Sequence, residues 1–482
     1  MNRVVIGPFN RVEGDLEVTF DVAEGRVAAA FVSSPLYRGF EQILVGKVPL
    51  DALVFVPRIC GICSVAQSAA AAQALAAAMG LTPPDNGRLA GNLVLAAENI
   101  ADHLSHFYLF FMPDFARSEY AERAWHGEAV ERFKAAVGSA TRQFLPARAA
   151  FLRLMGVLAG KWPHTLALQP GGSSRPAQKA DVLQSLMVLR EFRAFLETTL
   201  FGDHIENIAA LDSLPALMAW GERARPASAD FGRFLRIAGD LELWRLGRAG
   251  DRFLSYGAYP SAGTERMFAA GTWDAGPAGF NANDIREDVA RAWLAGEGQA
   301  RHPREGDTRP RADKPDAYTW CKAPRLGGRV VEVGALARQL IDGQPLARDL
   351  VGRHGGNVMA RVVMRLVEVA RLLPAMESWL RQLVPGRPFC HHCAMPDDAE
   401  GVGLVEAARG SLGHWLRVKD GRIDNYQIIA PTTWNFSPRD ASGTPGALEQ
   451  ALAGLVVGDG YTPPAVYHIV RSFDPCMVCT VH

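Results

Sequence analysis

Much is missing from this 482-residue chain, and each absence removes a class of function. Net charge is missing: 51 basic residues balance 51 acidic ones, so electrostatics favour neither nucleic acid nor an anionic membrane as the main partner. No run of 18 strongly apolar residues occurs. The nearest, SAAAAQALAAAMG (68–80), is alanine-rich and broken by Gln73, so no membrane span is expected. The start, MNRVVIGPFNRVEGDLEV, has no basic segment followed by an apolar one, so no signal peptide is expected either. The glycine-rich cradles GxGxxG and GxxxxGK(S/T) are absent, which removes the usual dinucleotide and nucleotide sites. Repeats and low-complexity tracts are absent as well. Cysteine is scarce and odd in number: seven, six of them in CxxC pairs. A secreted disulfide framework rarely looks like that, whereas a reduced metal-binding protein does, and the cytoplasm is the expected compartment.

What is present is enough chain for two subdomains or one large layered unit. Leu16, Val18, Phe20 and Val22 alternate with polar or small residues, Glu24-Gly25 makes a turn, and Val27, Ala29 and Phe31 resume the period of two: a hairpin. Beyond residue 65 the period becomes helical, with Leu93, Ile100, Leu104 and Phe107 on one face. Further long helices are expected over 134–158, 179–209 and 357–383. The Gly-, Ala- and Pro-rich stretch 256–283 reads as turns and short strands. Segment 298–317, with alternating charges and several prolines, reads as a solvated surface loop.

Two cysteine pairs stand out. RICGIC carries Cys60 and Cys63, and DPCMVCTVH, at the end of the sequence, carries Cys476 and Cys479. Spacing of two lets both thiolates of a pair turn to one ion, and two pairs make a four-sulfur site if the fold joins them. Spacing alone leaves structural zinc open beside nickel and iron, which soft thiolates suit equally. The third pair, Cys390 and Cys393 in FCHHC, has no second pair left to complete it. It reads, with Cys321, as structural or incidental. His103 and His106, three apart on one helix, read as packing or hydrogen-bonding residues.

The two pairs together resemble those of the large, catalytic subunit of the nickel–iron hydrogenases. RVEG (11–14), LYRGFE (36–41), ADHLSHFY (101–108), KAPR (322–325), EAARGSLGHW (406–415) and NYQIIAPTTWN (425–435) follow in the family's order. The resemblance implies an α+β fold spanning residues 1–482: a mainly helical core with peripheral sheets, the termini meeting at a buried metal centre. It implies nickel and iron on the four thiolates, Cys60 and Cys476 terminal on nickel, Cys63 and Cys479 bridging to iron, and carbon monoxide and cyanide on the iron. The chemistry is cleavage of H2 into hydride and proton, which calls for electron-rich metal and a nearby base. Catalytic roles are implied for Cys476, for Glu13 as proton relay and for Arg409 as the guanidinium above the open metal position. Asp102 and Asp474 match its carboxylate partners, and Thr432 a hydroxyl donor to an iron cyanide. Glu41, His482 and the carbonyl near Ile428 match a magnesium site that anchors the C-terminus.

Three positions depart from the commoner pattern. Gln67 stands where CxxCxxxH has histidine, Asp15 where histidine is common after RVEG, and Ala408 where EAPRG has proline. Gln67, with Ile62 and Phe110 at the mouth of the gas channel, resembles the regulatory, hydrogen-sensing hydrogenases. The expected function is therefore a sensor of H2, with a conventional uptake enzyme in mature, processed form as the alternative. With no cysteines left for iron–sulfur clusters, electrons must leave through a partner, which the resemblance identifies as a small iron–sulfur subunit. A histidine kinase and a higher oligomer of heterodimers complete the expected partners.

Overall fold

Helix Val358–Gln382 is the axis on which the rest is packed. Every residue from Val358 to Ala370 is buried, although Arg361, Arg365 and Glu368 recur at helical spacing on one face. Its N-terminus is capped by Asn357, whose side chain accepts from Ala360 N at 2.9 Å. The charged residues it carries inward are all partnered. Arg361 pairs with Glu332 at 2.8 Å, Glu368 with Arg338 at 2.7 Å, and Arg365 donates to the Ser472 carbonyl at 2.7 Å. The computed structural model describes residues 2–263, 265–296, 298–457 and 463–482.

Helix Asp85–Ser105 lies along this axis and buries Leu93, Ile100 and Leu104, the expected face. It does not stop at Ser105. A wider π turn, His106–Phe111, continues it, so Asp102 and Phe110 share one rod. The span 134–158 is broken at Leu152 into Ser139–Phe151 and Arg153–Ala159. The span 179–209 becomes Lys179–Phe195, a π turn Leu196–Leu200 and Ile205–Ala209.

Helix Ser64–Met79 explains the alanine-rich stretch. It lies on strand Ala399–Ala407 so closely that a Cβ on Gly401 would stand 1.9 Å from the Ala74 carbonyl oxygen, and one on Gly403 1.9 Å from that of Ala70. Small residues on both sides let the backbones touch. Strands Ala399–Ala407, Gly410–Lys419 and Arg422–Ile429 form an antiparallel sheet. Its first connection is the two-residue turn Ala408-Arg409, since Ala407 pairs with Gly410.

Three expectations need correction. The stretch 256–283 holds turns and one short strand, Pro277–Ala278, as expected, but its main strands are long: Arg252–Pro260 and Arg266–Asp274 form an antiparallel pair. The first is buried on both faces from Phe253 to Tyr259, so its sequence shows no alternation. Segment 298–317 is not simply solvated. Its charged Arg304, Glu305, Asp307 and Arg309 face water, but His302, Pro303 and Thr308 are buried, and Thr308 donates to Glu41. In the N-terminal sheet, strands Glu17–Ala23 and Arg26–Ser33 pair as expected, with Glu24 and Gly25 both left-handed in the turn. A register shift at Asp21/Val22 changes the phase, so Val27, Ala30 and Val32 face inward instead of Ala29 and Phe31. No helix among the described residues is long and apolar enough to cross a membrane.

Candidate metal centre

The two ends of the chain are stapled by backbone. Met477 N donates to the Glu13 carbonyl at 2.7 Å, part of a parallel bridge between Glu13 and Cys476. Gly14 makes this contact possible. Its φ is +81°, and a Cβ there would stand 3.0 Å from Val478 Cγ1. Arg38, in the LYRGFE stretch, donates to the carbonyls of Ile59 and Val478 and so ties both cysteine segments together.

The result is four buried sulfurs, from Cys60, Cys63, Cys476 and Cys479, all within 4.8 Å of one another. Cys63 and Cys479 are 3.0 Å apart, Cys476 and Cys479 3.1 Å, Cys60 and Cys476 3.5 Å. None is in a disulfide. Burial pushes the Cys476 and Cys479 thiols up, so four thiolates this close need cations among them. The donor set is soft, convergent and preformed, and it fits a nickel–iron centre.

Arg409 is the fixed charge beside the sulfurs. Its fork grips Asp102 at 2.6 and 3.0 Å, reaches Asp474 Oδ1 at 3.2 Å, and donates from Nε to the Asp474 carbonyl at 3.0 Å. Burial works against its charge, but Asp102, Asp474, Cys476 and Cys63 outweigh that and keep it cationic. Burial also pushes the Asp474 carboxyl up, and Arg409 overrides it, holding the group below the ordinary range. Glu13 is half-buried. Burial and the neighbouring Cys60 thiolate push its carboxyl up, against the pull of Arg409. Thr432 Oγ1 accepts from Cys476 N at 3.2 Å, which leaves its own hydroxyl proton free to donate.

Gln67 lies one turn beyond Cys63 on helix Ser64–Met79 and is buried. Its Oε1 meets His414 Nε2 at 2.9 Å, and His414 Nδ1 meets the Tyr426 hydroxyl at 2.8 Å. Burial lowers the His414 pKa to about 3, so the imidazole is neutral and donates to the amide. At the C-terminus, His482 Nε2 lies 3.2 Å from Glu41 Oε1. Ile428 meets the same oxygen at 2.8 Å through its N–H, not through the carbonyl the motif implied. Lys322 Nζ lies 3.1 and 3.2 Å from the Glu41 oxygens and 2.8 Å from Gln427 Oε1. Burial opposes ionisation of Glu41, yet Lys322 and His482 hold it well below the carboxylate range.

Ile62 is half-buried and packs on the main core; Phe110 is half-buried but lies outside that packing, its carbonyl accepting from Arg11 at 3.2 Å. His103 bonds Glu368 at 3.0 Å and His106 the Arg471 carbonyl at 2.6 Å, and neither joins the metal-capable group. Sequence reasoning missed Glu98. It is buried, accepts from Val65 N and Ala66 N at 2.9 Å each and from Trp162 Nε1 at 2.9 Å, and so caps the helix that carries Cys63. Burial pushes its carboxyl up to about 8. An acid in the middle of one helix gives no hint that it caps another.

Comparison with known proteins agrees with this geometry. The family profile of nickel-dependent hydrogenase matches residues 38–144 and 120–482. The periplasmic NiFeSe hydrogenase large subunit of Desulfomicrobium baculatum is 30% identical over 515 residues, covering 100% of this chain and 95% of that one. The hydrogenase-2 large chain of Escherichia coli is 27% identical over 576 residues, covering 100% and 97%. The solved Ni-Fe-Se hydrogenase of D. vulgaris Hildenborough in the reduced state superposes with a TM-score of 0.84 at 31% identity, with 100% of both chains covered. Four converging thiols, the collinear motifs and the shared fold place the chain in the nickel-dependent hydrogenase family, as the large subunit of a hydrogenase that cleaves H2 at a nickel–iron centre.

Proposed function

We propose that this large subunit senses H2 for the control of gene expression and turns it over slowly. The observation that carries the reading is Gln67. Position 67 is buried one turn from Cys63, and an amide there can neither take up nor release a proton, unlike the histidine common at this place. Its partner His414 is held neutral, so the pair anchors the cysteine helix and carries no proton. That suits a protein whose output is a change of state and not flux.

When bound, the nickel–iron centre supplies the electron-rich metal on which H2 splits. The chain's own groups do the rest. Arg409, fixed by Asp102 and Asp474, places a permanent positive charge and planar donors beside the sulfurs. Glu13, next to Cys60, holds the departing proton on its carboxylate; its raised pKa brings it nearer the working pH. Thr432, its hydroxyl proton free, would donate to a cyanide on the iron, whose ligands would be carbon monoxide and cyanide. Magnesium between Glu41 and His482 would complete the C-terminal anchor, and the hard oxygens of Glu41 and Gln427 support it, with Lys322 sharing the charge.

The partners follow the same reading: a small iron–sulfur subunit, a histidine kinase, and a higher oligomer of heterodimers. Ile43, Val45, Val48, Leu50 and Val54, all exposed on the approach to Cys60, suit a protein partner better than water. Seven free cysteines suit a reducing cytoplasm. A second reading, an energy-converting uptake enzyme, rests on relatives such as the uptake hydrogenase large subunit of Azotobacter chroococcum mcd 1, 27% identical. The test is autophosphorylation of a candidate histidine kinase with the purified heterodimer, under H2 and under argon. A response to H2 supports the sensor; no response together with fast H2 oxidation supports the uptake enzyme.

A further inference from the structure

The turn that presents Arg409 is held from behind, and we propose that Arg338 is a positioning residue for H2 cleavage, fixing where the Arg409 guanidinium stands without touching the metal site. All five N–H donors of Arg338 are engaged in the dry interior. Nε and Nη2 grip Glu368 at 3.0 and 2.7 Å. Nη1 meets Glu406 Oε2 and the Ala407 carbonyl, both at 2.8 Å, and Nη2 also meets the Ala408 carbonyl at 3.0 Å. Ala407 and Ala408 are the two residues before Arg409, so the side chain clamps the backbone of the turn Ala408-Arg409 itself.

The same clamp reaches the other half of the ion pair. Glu368, on the central helix, takes His103 Nε2 at 3.0 Å, and His103 follows Asp102, which Arg409 grips. One carboxylate therefore fixes the guanidinium through the turn and its counter-ion through the neighbouring histidine. Glu406 is held in turn by Tyr256 N at 2.7 Å and by the Ser411 hydroxyl at 2.6 Å. A planar five-donor fork is needed for this geometry. An ammonium has three donors at one point and cannot serve two carboxylates and two carbonyls together.

The inference rests on the proposed role of Arg409, and the experiment separates the two. Arg338→Lys, Arg409→Lys and the double variant are compared as nickel-loaded heterodimers by H2/D+ exchange and nickel EPR. Arg338→Lys is expected to keep its nickel, to change the nickel EPR signal, and to slow exchange by about 100-fold, as a misplacement of about 1 Å does. In the double variant the loss should not exceed that of Arg409→Lys alone, because both changes remove one interaction. Losses that multiply, or an unchanged EPR signal in Arg338→Lys, overturn the positioning role. Full exchange in Arg409→Lys instead removes the role assigned to Arg409, and Arg338 loses its object. Should Arg338→Lys retain no nickel, Glu406→Gln takes its place, with a drop of about 10-fold and the same lack of additivity expected. If that variant also lacks nickel, these residues serve assembly, and the proposal fails.

Discussion

The pairs Cys476/Cys479 and Cys390/Cys393 have the same spacing, yet the first is buried where three chain segments meet and the second rides a surface loop. Cys393 is exposed and Cys390 half-buried. Their loop is tied down by backbone and side chain: His391 N donates to the Gly171 carbonyl at 3.0 Å, and His391 Nδ1 meets the Thr82 carbonyl at 2.9 Å. One of the two histidines that make FCHHC look like a ligand set, His391, is thus occupied elsewhere. Spacing supplies one bite of a metal site. The second bite comes from topology, here the bridge that brings Glu13 beside Cys476. Two pairs separated by more than four hundred residues converge, while a pair with two histidines inside it does not.

The strongest way to break this comparison is to cut one bite. Cys476→Ser replaces a soft thiolate with a harder, less acidic hydroxyl, so nickel should fall from about one per chain to near none. Elemental analysis of the purified heterodimer checks this. Nickel at the normal level would remove Cys476 from the ligand set, and stoichiometric zinc in the wild type would overturn the centre altogether.

Next in size is a change that leaves the thiolates and removes only the proton. Glu13→Gln keeps the shape of the side chain and the backbone bridge to Cys476, but an amide cannot accept a proton. Exchange of H2 with D+ should drop by about 100-fold or more with metal content unchanged. Wild-type exchange in a fully loaded variant would place the proton path elsewhere.

How much of this was readable beforehand follows from the same contrast. The thiolates, Arg409 with both carboxylates, and the meeting of Glu41 with His482 were legible because each lies in a short motif. The central helix and the rod through Asp102 were legible because long periodic stretches carry their own signal. The strand Arg252–Pro260 was not, because a strand buried on both faces loses its alternation. The inward face of Arg26–Ser33 was misread by one residue, because a bulge is invisible in a period of two. Glu98 and Arg338 were unreadable for a different reason. Each acts on an element remote in sequence, and nothing local to a buried acid or base says which helix end or turn it will hold.

A smaller effect is expected at Ile62, between the two ligand cysteines. In a close-packed interior one methylene alters a passage, and a narrowed route slows O2 more than the smaller H2. Since Ile62 packs on the core and Phe110 does not, Ile62→Val should account for most of the oxygen sensitivity gained by the double change with Phe110→Leu. H2 oxidation before and after exposure to air measures it. Equal survival of wild type and double variant would make both side chains ordinary packing and leave oxygen tolerance to the metal chemistry.

The smallest effect belongs to the loop, and it is the sharpest test of the contrast. If Cys390 and Cys393 carry no metal, the double change Cys390→Ser with Cys393→Ser should leave nickel content and H2/D+ exchange as they were. Melting temperature should hardly move, since surface substitutions away from caps, cores and buried networks stay within about 0.5 kcal/mol. The hydrogen bond Cys393 makes to the Met79 carbonyl, at 3.5 Å, is long and is open to a serine hydroxyl as well. Cys390 has slightly more to lose, because it sits in the bridge with Gly172 and burial raises its thiol pKa. A maleimide added to the native protein should therefore label Cys393 first and Cys390 more slowly, while the four buried cysteines of the metal centre stay protected until the metal is removed or the chain unfolds, and the buried Cys321 until the chain unfolds. Mass spectrometry of the labelled peptides reads the order directly. Protection of Cys390 and Cys393 in the native protein, or loss of nickel when both are serine, would mean that the exposed pair also holds an ion and that identical spacing led to the same chemistry after all.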